Sequence, residues 1–588
     1  MKDFIKYTLA TIVGIVLASI IFTVIGIVSV AGMVASENAG NVLEKNSILR
    51  IKLQGEITER TEENPMDFLS RGEIMSIPLD KALEALKKAA TNDRVKGIYL
   101  EGGVLTAAPA ELQELRQALL GFKESGKWIV AYGDEYSRGS YYLCSVADEV
   151  FLNPIGMLDW SGMSSQPIFY TGLMKKLGVK MQVFKVGTYK SAVEPFICTE
   201  MSDANREQVQ SFLDNIWGNM LKEVAASRQI NPGELNAMAD STTFLSQAEV
   251  FVKNKLVDKL GYLSDVKKAL KQRLELDEDD DLNFATLADV IASDGLGKKI
   301  DDEVAVYYAY GEIADSRAAG FSQEHNITAK EMMKDLQELR EDDDVKAVVI
   351  RVNSPGGSAY ASEQIWHELQ LLRAKKPVVV SMGGMAASGG YYISCGANQI
   401  FAEPMTLTGS IGIFGMIPDA SELLTQKLGL TFDVVKTNAM SDFGAMGRPF
   451  NANEAAKMQG YVNRGYELFT SRVADGRGME QDSVKAIAEG RVWTGEQALS
   501  IGLVDKLGNL NDAVEAAALL AELEDYTVGC YPQVKPWYAS LVDRAGSNYM
   551  DSRIRAAMGE YYPAYAFVKR IGKVNPIQAR LPFDPNIK

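Results

Sequence analysis

The 588-residue chain is too long for a single hydrophobic core, and its 47% apolar content is that of a folded protein. A net charge of −16, with no cluster of Lys and Arg, excludes a nucleic-acid-binding surface, because affinity for phosphate backbones comes from concentrated positive charge. Four cysteines (Cys144, Cys198, Cys395 and Cys530) have no metal-ligand spacing, and His325 and His367 are the only histidines. Any Ser-His-Asp mechanism would rest on one of those two, and neither lies near an obvious nucleophile; no metal or cofactor is expected.

Residues 7–34 carry no charge, over more than the ~20 residues that a helix needs to cross a bilayer. The segment is also longer than the ~7–15-residue apolar region of a cleavable signal peptide. An uncleaved transmembrane anchor is therefore expected within residues 1–40, in contact with lipid through 7–34. Lys2 and Lys6 precede it, which by the positive-inside tendency puts the N-terminus in the cytoplasm and the remaining chain on the other side.

From residue 46 onward, strand-like and helix-like segments alternate, the pattern of an α/β fold. The chain also repeats itself. GEI at 55–57 returns at 311–313, DRVKGIYL at 93–100 returns as DDVKAVVI at 343–350, and YYLCSVADEVFLNP at 141–154 returns as YYISCGANQIFAEP at 391–404. LVDKLG at 256–261 recurs unchanged at 503–508. Four matches in one order, at a period far longer than a solenoid repeat, indicate a duplicated domain. The expected organisation is an anchor (1–40), a first repeat (41–295), a second repeat (296–525) and a C-terminal extension (526–588) with no counterpart in the first copy. The acidic stretch around 276–281 lies near the junction.

Residues 381–415 hold the densest run of glycines, alanines and serines. Glycines at 409, 412 and 415 leave the backbone around Ser410 open, so that its hydroxyl and nearby N–H groups could face a reacting carbonyl. Aligning the two YY…P blocks sets Trp160 opposite Ser410, so the first copy cannot supply this nucleophile. Ser388, with small residues on both sides, is the runner-up; Arg138 or Gly139 stands near its position in the first copy, and the repeat comparison does not separate the two serines. The turn NSPGGS at 353–358 is likewise confined to the second copy, and Gly356 and Gly357 are candidate oxyanion donors. The first copy keeps Lys190, in TYKSAVEPF, where the second has no lysine. A lysine serves as general base only when burial lowers its pKa and its amine reaches the nucleophile, and Tyr189, Ala192, Val193, Pro195 and Phe196 supply apolar surroundings.

With TYKSAVEPF around Lys190, SPGGS at 354–358, SGGYY at 388–392 and TGSIGIFG at 408–415, the chain resembles the protease IV (signal peptide peptidase A) family in its long, duplicated, membrane-anchored form. The resemblance runs from the anchor to the second LVDKLG. It implies tandem Clp protease/crotonase-like domains, a homotetramer, and a serine endopeptidase of the bacterial inner membrane with its catalytic domains on the periplasmic side. It further implies Ser410 as nucleophile and Lys190 as general base, with cleaved signal peptides and other hydrophobic peptides as substrates. N–H groups near Gly357 and at Ile411 would then hold the oxyanion. A crotonase-like enzyme acting on acyl-CoA and an inactive membrane scaffold are the competing expectations.

Overall fold

The computed structural model describes residues 43–60, 76–241, 245–293, 300–316, 325–533 and 577–580, with Tyr7, Gly14 and Ile21 as isolated positions. The anchor expected at 7–34 therefore lies outside the described residues. Among the described residues, no helix is long and apolar enough to cross a membrane.

The first repeat opens with β1 (Ser47–Thr58), α1 (Leu79–Thr91), β2 (Val95–Thr106), α2 (Pro109–Glu124), β3 (Trp128–Tyr136), α3 (Arg138–Cys144) and β4 (Glu149–Leu158). It continues through β5 (Lys180–Lys185) and the long helix α4 (Asp203–Arg228). The strands β1, β2, β3 and β4 pair in parallel in that order. Their apolar runs suit strands covered on both faces, as parallel sheets require. In α1, Leu79, Ala82, Leu86 and Ala89 are buried at the three- and four-residue spacing of one helix face.

The second repeat restates this plan with β6 (Glu303–Tyr310), β7 (Glu312–Ala314), α5 (Ala329–Glu341), β8 (Val345–Ser354), β9 (Gly356–Ser358), α6 (Ala359–Arg373), β10 (Val378–Ala387), α7 (Gly389–Ser394), β11 (Gln399–Ala402) and β12 (Leu407–Gly409). There follow β13 (Phe414–Asp419), α8 (Ala452–Arg477), β14 (Val492–Thr494), α9 (Leu510–Leu520), β15 (Thr527–Tyr531) and β16 (Ile577–Arg580). The second sheet runs β14-β12-β10-β8-β6-β15. Register makes the duplication explicit: Glu135 pairs with Met157 in the first repeat, and Met385 with Leu407 in the second, each residue 250 positions further on. The extension beyond 525 is not wholly without a counterpart. Thr527–Tyr531 lies parallel to β6 as Phe284–Ala285 lies parallel to β1.

A third sheet joins the two repeats: β5 of the first pairs antiparallel with β13 of the second, in the order β7-β9-β16-β13-β5. The cores merge as well, since Met385, Ala387, Met405, Leu407 and Val492 pack into the first repeat's core, and Phe184 into the second's. Between them lies a buried polar seam. Arg351 on β8 donates to Glu59 and, at 2.6 Å, to Glu114 of α2, and Asn353 donates to Glu59 and Glu111 at 2.9 Å each. Gln117 donates to Glu403 at 2.8 Å.

Burial, aided by the neighbouring Glu59, pushes the Glu111 carboxyl up to about 7, and burial with Glu114 pushes Glu403 up to about 8. Both carboxyls hold a proton in the folded state at a pH where the unfolded chain has lost it. That contribution to stability is complete below about pH 4.5 and is lost as pH rises through about 7 and 8. The thermal midpoint is expected to fall on going from about pH 5 to about pH 9, and less steeply in Glu403→Gln; calorimetry across that range checks it.

Candidate active site

Lys190 sits in the loop after β5, and a turn of the other repeat holds that loop. Tyr189 N–H donates to the Glu489 carbonyl at 3.0 Å, and Gln208 on α4 donates to the Tyr189 carbonyl at 3.0 Å while accepting from Val492 N–H at 3.2 Å. Arg491 stacks over Tyr189 at 4.7 Å and over Trp493 at 4.5 Å. Gly490, at φ +79°, is the contact point: a side-chain carbon there would lie 2.7 Å from Lys190 Cβ. The N-terminal turns of α4 brace the loop from behind, where Asn205 donates to Glu194 at 2.9 Å and Ser202 caps the helix.

The lysine is fully buried. Burial alone, with no carboxylate beside it, holds its amine well below the ordinary lysine range, so the neutral form is favoured. Nζ lies 2.8 Å from Ser388 Oγ and 3.0 Å from both Ser410 Oγ and the Ser410 carbonyl oxygen. A neutral amine has two N–H groups and one lone pair. The carbonyl must take one N–H, so one serine accepts the other and the remaining serine can donate to the lone pair. The structure therefore brings Lys190, Ser388 and Ser410 together within one chain.

The two serines have different surroundings. Ser388 stands between β10 and α7 with φ +56° and ψ −111°, a sparsely populated conformation for a residue with a side chain and the kind of strained strand-to-helix turn on which a nucleophile is presented. Gly356 and Gly357 belong to this side: a side-chain carbon on Gly356 would lie 2.6 Å from Gly389 N and 3.0 Å from the Ala387 carbonyl. Ser410, at φ +50°, faces the lysine loop. Its N–H is spent on the Arg491 carbonyl at 2.7 Å, and the Ile411 carbonyl accepts from Gly490 N–H at 2.9 Å. The Ile411 carbonyl thus sits against Gly490, and Gly389, which follows Ser388, borders the Gly356 notch. Gly389 was legible only as part of SGGYY, since nothing local distinguishes it from the next glycine.

In the first repeat the matching space is solid. The 250-residue offset sets Arg138 on Ser388 and Trp160 on Ser410. Trp160 is fully buried against Tyr141 and Trp217, with ring centroids 5.6 and 4.9 Å away, and donates to the Leu235 carbonyl at 3.2 Å. Arg138 donates to the Gly162 carbonyl. A cavity of about 440 Å³ elsewhere in the first repeat is lined by Gln54, Glu101, Gly102 and Gly103; the chemistry-bearing groups lie instead at Lys190.

The sequence profile of peptidase family S49 matches residues 121–277 and again 370–524, more than half of the chain, and that of Clp protease matches 301–407. The chain belongs to peptidase family S49. It is 38% identical over 505 residues to Protease 4 of Salmonella typhi, covering 84% of this chain and 80% of that one. It is 36% identical to Protease 4 of Haemophilus influenzae, over 74% of this chain and 72% of that one. The chloroplastic serine protease SPPA of Arabidopsis thaliana is 31% identical over 82% of this chain and 70% of its own length. This S49 peptidase is accordingly a serine protease with two tandem Clp protease-like domains, and the acyl-CoA and scaffold alternatives are set aside.

Gly490→Ala is expected to lower peptide hydrolysis at least about tenfold by displacing Lys190, the loss that follows from roughly 1.4 kcal/mol of misalignment. Unchanged near- and far-ultraviolet circular dichroism would accompany it, and a normal rate would show that the Gly490 contact does not position the lysine.

Proposed function

We propose that the enzyme is a Ser/Lys endopeptidase in which Ser388 is the nucleophile, neutral Lys190 the general base, and Ser410 a second hydroxyl that orients the lysine. This exchanges the roles expected of the two serines from sequence. The observation that carries it is the position of Ser388: on the strained turn, 2.8 Å from the Lys190 amine and adjacent to the Gly356–Gly389 notch. Ser410 as nucleophile keeps some support from its own 3.0 Å contact with the same amine.

In the proposed reaction, the Lys190 lone pair takes the Ser388 hydroxyl proton as Oγ bonds to the peptide carbonyl carbon. N–H groups of Gly389 and Gly357 hold the oxyanion, the Gly356 N–H being donated to Ser354 Oγ at 3.1 Å. The lysine ammonium then gives its proton to the leaving amine as the C–N bond breaks. Water, deprotonated by the same lysine, hydrolyses the acyl-enzyme and frees Ser388. The Ser410 hydroxyl and carbonyl accept the two remaining N–H groups throughout, fixing the lone pair toward Ser388.

The same reading takes residues 7–34 as an anchor in the bacterial inner membrane, with repeats at 41–295 and 296–525 on the periplasmic side and an assembly of four chains. The substrates are hydrophobic peptides of the envelope, cleaved signal peptides among them. The charge-free length of 7–34 and the likeness to Protease 4 and SPPA support it.

Single alanine substitutions test the chemistry. Ser388→Ala should reduce peptide hydrolysis by at least about a thousandfold, and Ser410→Ala by roughly 10- to 100-fold, the size of one lost orienting hydrogen bond. The opposite order would return the nucleophile's role to Ser410. Lys190→Arg should be as inactive as Lys190→Ala, because a guanidinium does not deprotonate. A chain lacking residues 1–40 should be recovered without detergent while the full chain needs it; equal detergent dependence argues against the anchor.

A further inference from the structure

Lys190 stands in a loop with no helix or strand of its own, so the reach of its amine depends on what grips the backbone at either side. Gln208 does this from α4. It is fully buried, and its amide nitrogen donates to the Tyr189 carbonyl at 3.0 Å, to Ser191 Oγ at 3.0 Å and to Asn205 Oδ1 at 3.1 Å. Its amide oxygen accepts the Val492 N–H at 3.2 Å. Val492 pairs with Gly409 across β14 and β12, and the carbonyl before it, that of Arg491, accepts the Ser410 N–H at 2.7 Å. One side chain thus ties both neighbours of Lys190 to the strand beside Ser410.

The direction of that amide is fixed. Turned over, it would set its oxygen against the Tyr189 carbonyl and its nitrogen against the Val492 N–H, and neither backbone group can reverse. Asn205, one turn earlier on the same helix face, enforces the same polarity. Its own nitrogen donates to Glu194 at 2.9 Å, which leaves its oxygen to accept from Gln208 and, at 2.9 Å, from Ser191 Oγ. Glu194, also buried, accepts from Ser202 Oγ at 2.6 Å and from Ser202 N–H at 3.2 Å, and a carboxylate has nothing to donate. The series Glu194, Asn205, Gln208 therefore runs in one direction only. Of the side chains of this length, only glutamine both donates and accepts at neutral pH.

We propose that Gln208 is a positioning residue of the reaction: its amide sets how far the Lys190 amine reaches toward Ser388 and Ser410, and Asn205 and Glu194 set which way the amide points. The proposal rests on the reading of Lys190 as general base and holds with either serine as nucleophile. The groups facing the Lys190 side chain, Ser388, Ser410, Gly412 and Gly490, are uncharged. The charged side chains of the adjoining segments are engaged elsewhere: Arg491 pairs with Glu207 at 3.0 Å, and Glu489 accepts from Thr188 N–H at 3.3 Å. α4 keeps its hold on the second repeat without the amide, since Ser211 accepts from Gln497 at 3.1 Å and Asn215 donates to Glu496 at 2.8 Å. Loss of the amide therefore frees the lysine loop and leaves the repeats docked.

Gln208→Met keeps the length of the side chain and removes both donor and acceptor. Its kcat for peptide hydrolysis should fall about tenfold or more, with KM within about twofold of the native value, as a displaced reacting group requires. The acid limb of its kcat/KM profile should move to higher pH, because a loosened amine is less shielded from water. Gln117→Met removes an amide from the seam between the repeats without touching the lysine loop, and should leave the acid limb where it is. A native kcat or an unmoved acid limb in Gln208→Met overturns the proposal, as does an equal shift in Gln117→Met. Asn205→Ala leaves both backbone partners in place and only frees the amide to turn. Smaller changes in the same two readouts are expected of it, and no change in either overturns the proposal; this variant decides the matter if Gln208→Met does not fold. Activity in Lys190→Ala would remove the base assignment itself, whereas an inactive Lys190→Ala beside an unmoved Gln208→Met profile removes only the role given to Gln208.

Discussion

The structure depends on one buried amine. Lys190 has no carboxylate to neutralise it and is shut off from solvent, and that exclusion from water holds its amine well below the ordinary lysine range. A neutral buried lysine is tolerable only if its polar atoms are satisfied, and two serines and one carbonyl of the other repeat do this within 3.0 Å. Docking and the lysine's environment are thereby one requirement: the repeats must dock before the lysine has partners, and its lowered pKa exists only once they have docked.

The remainder of the interface can be read as support for that docking. The turn at 489–491 clamps the lysine loop, α4 braces it, and β5 is stitched along β13 over six residue pairs from Lys185 to Lys180. Farther away, Arg351 compensates Glu59 and Glu114 in a seam closed to water, while Glu111 and Glu403 are pushed toward their neutral forms. Buried ionic groups of this kind add little net stability compared with apolar packing, but an unpaired member is costly, so they penalise misdocked arrangements.

Duplication explains why the site is asymmetric. One ancestral plan placed a strand, a tight turn and a short helix at the same point in each repeat, and the two copies use that point differently. In the second, the turn carries Ser388 and small neighbours that leave room for a backbone. In the first, the partly buried Arg138 takes the place of Ser388, and Trp160 fills the place of Ser410 as part of the core. The first copy contributes the lysine, on a loop that the second replaces with the exposed stretch following β13.

Much was legible in the amino-acid sequence alone. The α/β class, the duplication, the pairing of Lys190 with a serine of the other copy and the glycine turn at 356–357 all rest on local composition and on order along the chain, which the sequence contains in full. The order of the two serines was not legible. Ser388 and Ser410 both sit among small residues, and they differ in backbone strain, in which glycines they face and in where their N–H groups are spent. Those properties arise only when segments hundreds of residues apart meet. The same holds for the C-terminal strand: IQAR has no periodicity or motif to mark it, and its place beside Gly356 follows from two open strand edges that exist only after both repeats have folded together.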